Sequence, residues 1–198
     1  MESVGIEKMK KVVKRIFDII ISLILLIIFW PVFVIIAIAI KISDKGPAIF
    51  KHERAGKDGK PFVFYKFRTM KKNVDPYDRS PESGEDPRLI KCGKFLREYS
   101  LDELPQFFNV LKGDMSIVGP RPLYMSQIHD FSDYHRKRFL LKPGITGVSQ
   151  IYLRSELISK KSLDLEVEYV EKHSLWLDIK IIFQTFAVVL GKKGVYQK

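Results

Sequence analysis

The sequence is poor in cysteine and histidine, and each shortage excludes a class of structure. A single cysteine, Cys92, among 198 residues excludes an internal disulfide framework and fits a reducing compartment. No C-x-x-C pair and no cluster of histidine and cysteine occurs, so the sequence indicates no structural zinc site. The absence of internal repeats and low-complexity tracts also excludes a repeat architecture.

Acidic residues are the next deficit. The 23 Asp and Glu residues face 34 Lys and Arg residues, which gives a formal net charge of +11 and a pI near 9.6. Such a surplus indicates a polyanionic partner: nucleic acid, an anionic membrane surface or a phosphorylated substrate. Charge alone does not choose among these. The length of 198 residues leaves room for one domain with a hydrophobic core.

Charged residues are missing altogether from one long segment. Between Ile19 and Ile40, only Ser22 and Pro31 depart from apolar character. A straight helix of this length covers about 33 Å, which is enough for one bilayer crossing. Pro31 removes one backbone hydrogen bond and clashes with the preceding turn, so we expect two half-helices with a kink between them.

The flanks of this segment bear on its topology. Basic residues stand on both sides of it: Lys8, Lys10, Lys11, Lys14 and Arg15 before, and Lys41, Lys45, Lys51 and Arg54 after. The positive-inside tendency is better satisfied if both ends stay on the cytoplasmic side, which favours a re-entrant helix. A plain membrane span and a signal peptide cleaved near Ala37-Ile38-Ala39 remain open. At the edge of the segment, Asp18 has the helical spacing to pair with Lys14 and with Arg15.

The chain between the apolar segment and residue 122 predicts short elements. Aromatic and β-branched residues in 48–50 and 61–69 bracket the turn-like AGKDGKP, which predicts a β-hairpin. The polar stretch 73–86 is expected to be a loop, either a lid or a disordered excursion. Apolar residues at helical spacing predict helices over 92–99 and 105–111, and the run GDMSIVGPRP is strand-like.

The C-terminal part predicts helices. A basic helix containing HRKRF precedes the glycine-proline segment KPGITG. Two further helices are predicted over 156–172 and 175–190. The second is apolar and belongs either to an ordinary core or to a membrane interface. Together these elements predict a helix-dominated α+β fold.

The stretch SLDELPQ, residues 100–106, places two adjacent acids before an apolar run. Ser100 and Glu103 match the spacing of a capping box, which would make the acids part of a helix start. Pro105 argues against this interpretation because it would remove an N–H inside that helix, so the regular helix more plausibly begins at Pro105. Asp102 and Glu103 then lie on an irregular turn before a helix N-terminus, where anions such as phosphate are favoured.

Two arginines near this turn complete a candidate phosphate site. Arg97 lies upstream of the acids, and Arg121 is held between Pro120 and Pro122. Arginine suits bidentate contact with phosphate oxygens, and a carboxylate pair suits Mg²⁺ that bridges the same oxygens. A solvated turn residue is the alternative interpretation of Arg121.

Taken together, the motifs resemble those of the bacterial sugar transferases, the monotopic polyprenyl-phosphate phosphoglycosyl transferases, in their minimal catalytic-domain form. The matching stretches are KRIFDIIISLILLIIFWP at 14–31, FYKFRTM at 64–70, REYSLDELPQFFNVLKGDMSIVGPRP at 97–122 and KPGITG at 142–147. Two details depart from the family pattern. The usual Ser-Pro break reads Trp30-Pro31, and the segment after KPGITG reads VSQIYLR without the usual glycine.

The resemblance implies a Mg²⁺-dependent, ping-pong reaction. A sugar-1-phosphate would pass from a UDP-sugar to undecaprenyl phosphate through a covalent intermediate, with release of UMP. By the resemblance, Asp102 is the nucleophile, Glu103 the adjacent acid that holds the metal, and Arg97 and Arg121 the phosphate-binding residues.

The resemblance also implies a monotopic architecture. Residues 1–45 would form the re-entrant membrane helix, kinked at Pro31, and residues 46–198 a catalytic domain with interfacial C-terminal helices. That domain would lie on the cytoplasmic face of the bacterial inner membrane, and no nucleic acid would be involved. Two alternatives remain: a membrane-bound phosphohydrolase that uses the same acids, and a basic, membrane-anchored binding protein without enzymatic activity.

Overall fold

The computed structural model describes residues 2–75, 78, 81, 83–153 and 159–191. This part of the chain is helix-dominated α+β, as predicted. Its helices are α1 (Glu2–Ser43), α2 (Gly93–Glu98), α3 (Gln106–Lys112), α4 (Asp133–Arg136), α5 (Val148–Tyr152), α6 (Lys160–Lys172) and α7 (Leu175–Leu190). Its strands are β1 (Ile49–Ala55), β2 (Pro61–Phe67), β3 (Ser116–Val118) and β4 (Gly144–Thr146).

Helix α1 contains the apolar segment. Among the described residues it is the one helix that is long and apolar enough to cross a membrane, with a mean hydropathy of 3.2 in its most apolar window. The helix is continuous through Pro31, so the structure does not confirm the kink, and re-entry stays a prediction. One narrow stripe of α1 is buried, including Ser22, Ile36 and Ile40, while most of its large apolar residues are exposed.

Polar contacts anchor the N-terminal half of α1 to the rest of the protein. Arg15 donates hydrogen bonds to the carbonyls of Val110 and Leu111 at the end of α3, at 2.6 and 2.9 Å. The Lys14 ammonium lies 2.5 Å from a carboxylate oxygen of Asp178 and 3.9 Å from one of Asp18. The expected pairing of Asp18 with Lys14 is therefore confirmed, although the contact of Lys14 with Asp178 is shorter. The expected pairing with Arg15 is not, because Arg15 binds the two α3 carbonyls instead.

The predicted β-hairpin is confirmed. Strands β1 and β2 pair antiparallel, with Arg54 opposite Phe62 and Phe50 opposite Lys66. Residues that are directly opposite in an antiparallel pair point to the same face. The even-numbered residues of the two strands therefore share one face, which carries both Arg54 and Lys66.

Strands β3 and β4 form a parallel pair. The pair requires glycine at its end, because a Cβ on Gly144 would lie 2.1 Å from the backbone nitrogen of Gly119. The strand predicted in GDMSIVGPRP is confirmed as β3, and Arg121 follows it after Gly119 and Pro120. The buried core around this pair contains residues from β2, α3, β3, α6 and α7: Phe64, Val110, Met115, Ile117, Val118, Tyr169, Val170 and Ile181.

The C-terminal helices were predicted well. Helix α7 has the predicted bounds, and the Ser174 hydroxyl caps it by accepting a hydrogen bond from the Leu177 N–H. Helix α6 begins at Lys160 with Ser159 as its cap; residues 156–158 of the predicted helix lie outside the described residues. The exposed residues of α7 include Trp176, Phe183, Phe186 and Leu190, so an apolar face of this helix is left outside the core.

Part of the predicted loop over 73–86 also lies outside the described residues. Those that are described contain no helix or strand. Arg88 holds them through ion pairs with Asp78 at 2.5 Å and with Asp86 at 2.7 Å. A role as a lid remains a prediction.

Candidate active site

The two acids lie on the irregular turn that the sequence predicts. Ser100 has a left-handed backbone conformation, with φ of 54°, and its side chain does not cap the following turn. Leu101–Glu103 forms a single 3₁₀ turn, and α3 begins after Pro105, which occupies its N-cap position. The capping box is therefore absent, and the interpretation based on Pro105 is confirmed.

Lys66 joins the two acids. Its ammonium lies 3.4 Å from a carboxylate oxygen of Asp102 and 3.1 Å from one of Glu103. The Asp102 side chain is 8% exposed, against 30% for Glu103, so Asp102 is the inner and Glu103 the outer member of the pair. Burial raises the pKa of Asp102, while the positive charges of Lys66 and Arg97 oppose this rise.

The two predicted arginines both belong to this site. Arg97 lies in the last turn of α2, and its charge acts on Asp102. Arg121 lines the same cleft as Glu103. The structure thus brings together all four residues that the sequence singled out, from α2, the 3₁₀ turn and the loop after β3.

A buried ion pair fixes the backbone of Arg121. One carboxylate oxygen of Glu166 accepts hydrogen bonds from the Arg121 N–H at 2.9 Å and the Ser149 hydroxyl at 2.6 Å. The other oxygen accepts from the guanidinium of Arg138, which also donates to the Arg121 carbonyl at 2.5 Å. The Glu166 and Arg138 side chains are only 2% and 1% exposed. These two residues therefore hold both the backbone N–H and the backbone carbonyl of Arg121.

The cleft beside Glu103 and Arg121 has a volume of about 220 Å³ and two kinds of wall. Its polar wall consists of Tyr99, Ser100, Glu103, Arg121, Thr146, Gln150 and Thr185. Its apolar wall consists of Leu104, Phe107, Ile145, Ile151, Phe186, Val188 and Val189. Helix α7 contributes to both walls, and its Thr185 hydroxyl lies 2.7 Å from that of Thr146 in β4. The cleft can therefore take a ligand that has both a charged and an apolar part.

Sequence reasoning missed Lys66, Glu166 and Arg138. The signal for Lys66 was its position in the strand FVFYKF. Side chains two residues apart lie on the same face of a strand, so Lys66 shares the face of Phe62 and Phe64. Glu166 lies within α6 with only local helical periodicity around it, so nothing nearby distinguished it from a solvated residue.

The fit of the site to Mg²⁺ depends on its donors. Within the described ranges, no group of three or more His, Cys, Asp or Glu residues could hold a metal ion. Mg²⁺ is usually bound through one or two carboxylates together with substrate phosphates, so it does not need such a group. The partly exposed Glu103, next to Asp102, satisfies this requirement.

The segment that departs from the family pattern is only partly described. Residues Val148–Tyr152 form α5, and Ser149 and Gln150 of this helix contribute to the site, whereas Arg154 lies outside the described residues.

The chain belongs to the bacterial sugar transferase family, whose sequence profile matches residues 9–192. It is 41% identical to the UDP-glucose:undecaprenyl-phosphate glucose-1-phosphate transferase of Escherichia coli K12, over 94% of this chain and 42% of that protein. It is 38% identical to the undecaprenyl-phosphate galactose phosphotransferase of Salmonella typhimurium, over 96% and 43%. It is 39% identical to the uncharacterized sugar transferase EpsL of Bacillus subtilis, over 94% and 91%. The chain thus spans less than half of the first two relatives and most of the third.

Proposed function

We propose that the protein transfers a sugar-1-phosphate from a UDP-sugar to undecaprenyl phosphate, with Asp102 as the nucleophile. The observation that carries the proposal is the buried Asp102 carboxylate, which lies beside Glu103 and 3.4 Å from Lys66 on a turn before a helix. The names of the E. coli and S. typhimurium relatives, both transferases that act on undecaprenyl phosphate, support this choice of acceptor.

The reaction has two half-reactions. A carboxylate oxygen of Asp102 attacks the phosphorus that carries the sugar, and the bond from this phosphorus to the bridging oxygen breaks, so UMP leaves with that oxygen. The product is an acyl phosphate that carries the sugar on Asp102. A phosphate oxygen of undecaprenyl phosphate then attacks the same phosphorus, and the Asp102 carboxylate is released. Covalent catalysis of this kind divides one difficult displacement into two.

The cations of the site act on the phosphate charge. Negative charge develops on the phosphate oxygens during phosphoryl transfer, and fixed positive groups supply most of the catalysis. Lys66, Arg97 and Arg121 are the residues proposed to do so. Glu103 would hold a Mg²⁺ ion, which, when bound, would neutralise charge on the same phosphate oxygens.

The membrane arrangement follows from the lipid acceptor. We propose that α1 enters and leaves the cytoplasmic leaflet of the bacterial inner membrane with a bend at Pro31, and that α7 lies in the interface. The exposed apolar residues of α1 and α7 support this placement. The surplus of basic residues favours anionic lipid, at about 1 kcal/mol for each Lys or Arg near the surface.

The assay is UMP release from a panel of UDP-sugars by the purified full-length protein, with Mg²⁺ and undecaprenyl phosphate. We expect lipid-linked sugar phosphate with at least one donor. Asp102→Asn should abolish both turnover and the covalent adduct, because an amide is a poor nucleophile. Asp58→Asn is the matched control, since Asp58 is exposed in the hairpin turn and asparagine tolerates its left-handed conformation.

Two results would reject the transferase. Release of UMP together with free sugar phosphate, in the absence of lipid acceptor, would establish a phosphohydrolase. If no UDP-sugar yields UMP under any acceptor condition, a binding protein becomes the better interpretation. A fully active Asp102→Asn variant would remove this residue from the mechanism.

A further inference from the structure

Arg54 lies next to the site and has no role in the mechanism above. It lies on the same hairpin face as Lys66, and the buried ring of Phe64 separates the two. The Lys66 ammonium is 5.8 Å from the centroid of this ring, and the guanidinium carbon of Arg54 is 5.5 Å from it. One face of the hairpin therefore presents two cations, and Lys66 already binds the acids.

The guanidinium of Arg54 is held without an anion. It lies on the ring of Tyr124, with 3.3 Å between its central carbon and the ring centroid. Its Nε is buried and makes no hydrogen bond. The side-chain hydrogen bond that the guanidinium does make is with Tyr124, not with a carboxylate. A largely buried charge without an adjacent anion is costly, and a bound anion would offset this cost.

Arg54 interacts electrostatically with Glu103 and Arg121 of the site. Burial lowers its pKa to about 10; Tyr124 and Glu103 raise this pKa, and Arg121 lowers it further. Arg54, Lys66, Arg97 and Arg121 together carry two more charges than Asp102 and Glu103 can neutralise. This surplus, to which a bound Mg²⁺ would add, favours an anionic ligand such as a diphosphate.

We propose that Arg54 binds phosphate oxygens of the diphosphate in the nucleoside diphosphate sugar. Stacking on Tyr124 fixes the plane of the guanidinium, and a guanidinium in a fixed plane can make two parallel hydrogen bonds to phosphate. The proposal rests on the proposed function, since it assigns the substrate of that same site. It adds a ligand from β1 to those from β2, α2 and the loop after β3.

The test is binding of UDP and of inorganic pyrophosphate to the full-length Asp102→Asn protein in detergent, measured by calorimetry. In this background, Arg54→Met should weaken both ligands about ten- to a hundredfold, because it removes charged hydrogen bonds. Arg54→Lys keeps the charge and the stem, and should weaken both at least about threefold because the bidentate geometry is lost. Lys51→Met, on the opposite face of β1, should change neither affinity.

The outcomes separate the two proposals. UDP and pyrophosphate affinities within twofold of the parent in the folded Arg54 variants would overturn the role of Arg54. Loss of UDP affinity alone, with pyrophosphate unchanged, would also overturn it, because the contact would then be to the nucleoside. If Arg54→Met does not fold, Arg54→Lys decides by the same criterion. Failure of the parent protein itself to bind UDP would reject the proposed function.

Discussion

The buried pair of Glu166 and Arg138 offers the sharpest test of how Arg121 is positioned. Glu166→Gln removes one charge from a pair whose side chains are at most 2% exposed. One oxygen of Glu166 accepts from Arg121 and Ser149, and the other accepts from Arg138. Glutamine has only one such oxygen, so its NH₂ group must face either the Arg138 guanidinium or the two donors on the other side.

The expected cost is large. Removing one partner of a buried ion pair destabilises a protein by about 3–5 kcal/mol, because the other charge is left uncompensated. This is a substantial part of the roughly 5–15 kcal/mol that keeps a typical domain folded. Either orientation disturbs Arg121: the NH₂ group faces its N–H, or it faces Arg138, which donates to its carbonyl. We therefore expect kcat/KM for the UDP-sugar to fall about tenfold, as for loss of one charged hydrogen bond.

The measurements are denaturant unfolding in detergent and UMP release at a temperature well below the transition. Glu168→Gln is the matched control, because Glu168 is exposed on the same helix and pairs with the exposed Lys172 at 2.7 Å. It should leave both quantities nearly unchanged. If the free energy of unfolding of Glu166→Gln lies within about 1 kcal/mol of the parent value, the assignment of a buried, charged Glu166–Arg138 pair is refuted.

Two further predictions concern the acids and the membrane helix. Lys66→Met should lower kcat/KM by about a hundredfold or more, because it removes a fixed cation from the charge that develops on the phosphate. The control Lys60→Met, at the exposed end of the hairpin, should leave kcat/KM unchanged. Retention of more than a tenth of the activity in Lys66→Met would contradict this role. After replacement of Cys92 by serine, single cysteines at Lys8 and Lys45 should both react with a reagent confined to the cytoplasmic side; opposite accessibility of the two would establish a spanning helix.

The parts of the structure that could be predicted are those set by neighbouring residues. Pro105 has no N–H to donate inside a helix, so it lies at the start of α3 and the acids lie on the turn before it. The turn-like AGKDGKP predicted the hairpin, and the apolar spacing after Ser174 predicted α7. Each of these signals operates over a few residues, so one sequence contains all the information that is needed.

The contacts that complete the site are non-local. Lys66 reaches Asp102 across 36 positions of the chain, and Glu166 reaches Arg121 across 45. Such contacts depend on how β2 packs against the 3₁₀ turn and how α6 packs against the loop after β3. No periodicity in β2 or α6 indicates which partner will be met. The sequence therefore predicted the acids and two of the arginines, but not the residues that hold them.

A double replacement of Glu166 and Arg138 separates their contribution to stability from their role in positioning Arg121. Apolar residues of similar volume often replace a buried ion pair at little cost or with a gain in stability. Arg138→Met with Glu166→Leu should therefore regain much of the stability that Glu166→Gln loses. The N–H and carbonyl of Arg121 would still lack the partners that now lie at 2.9 and 2.5 Å, so UMP release should remain low. If activity returned together with stability, the pair would serve folding alone, and Arg121 would be positioned by Pro120 and Pro122.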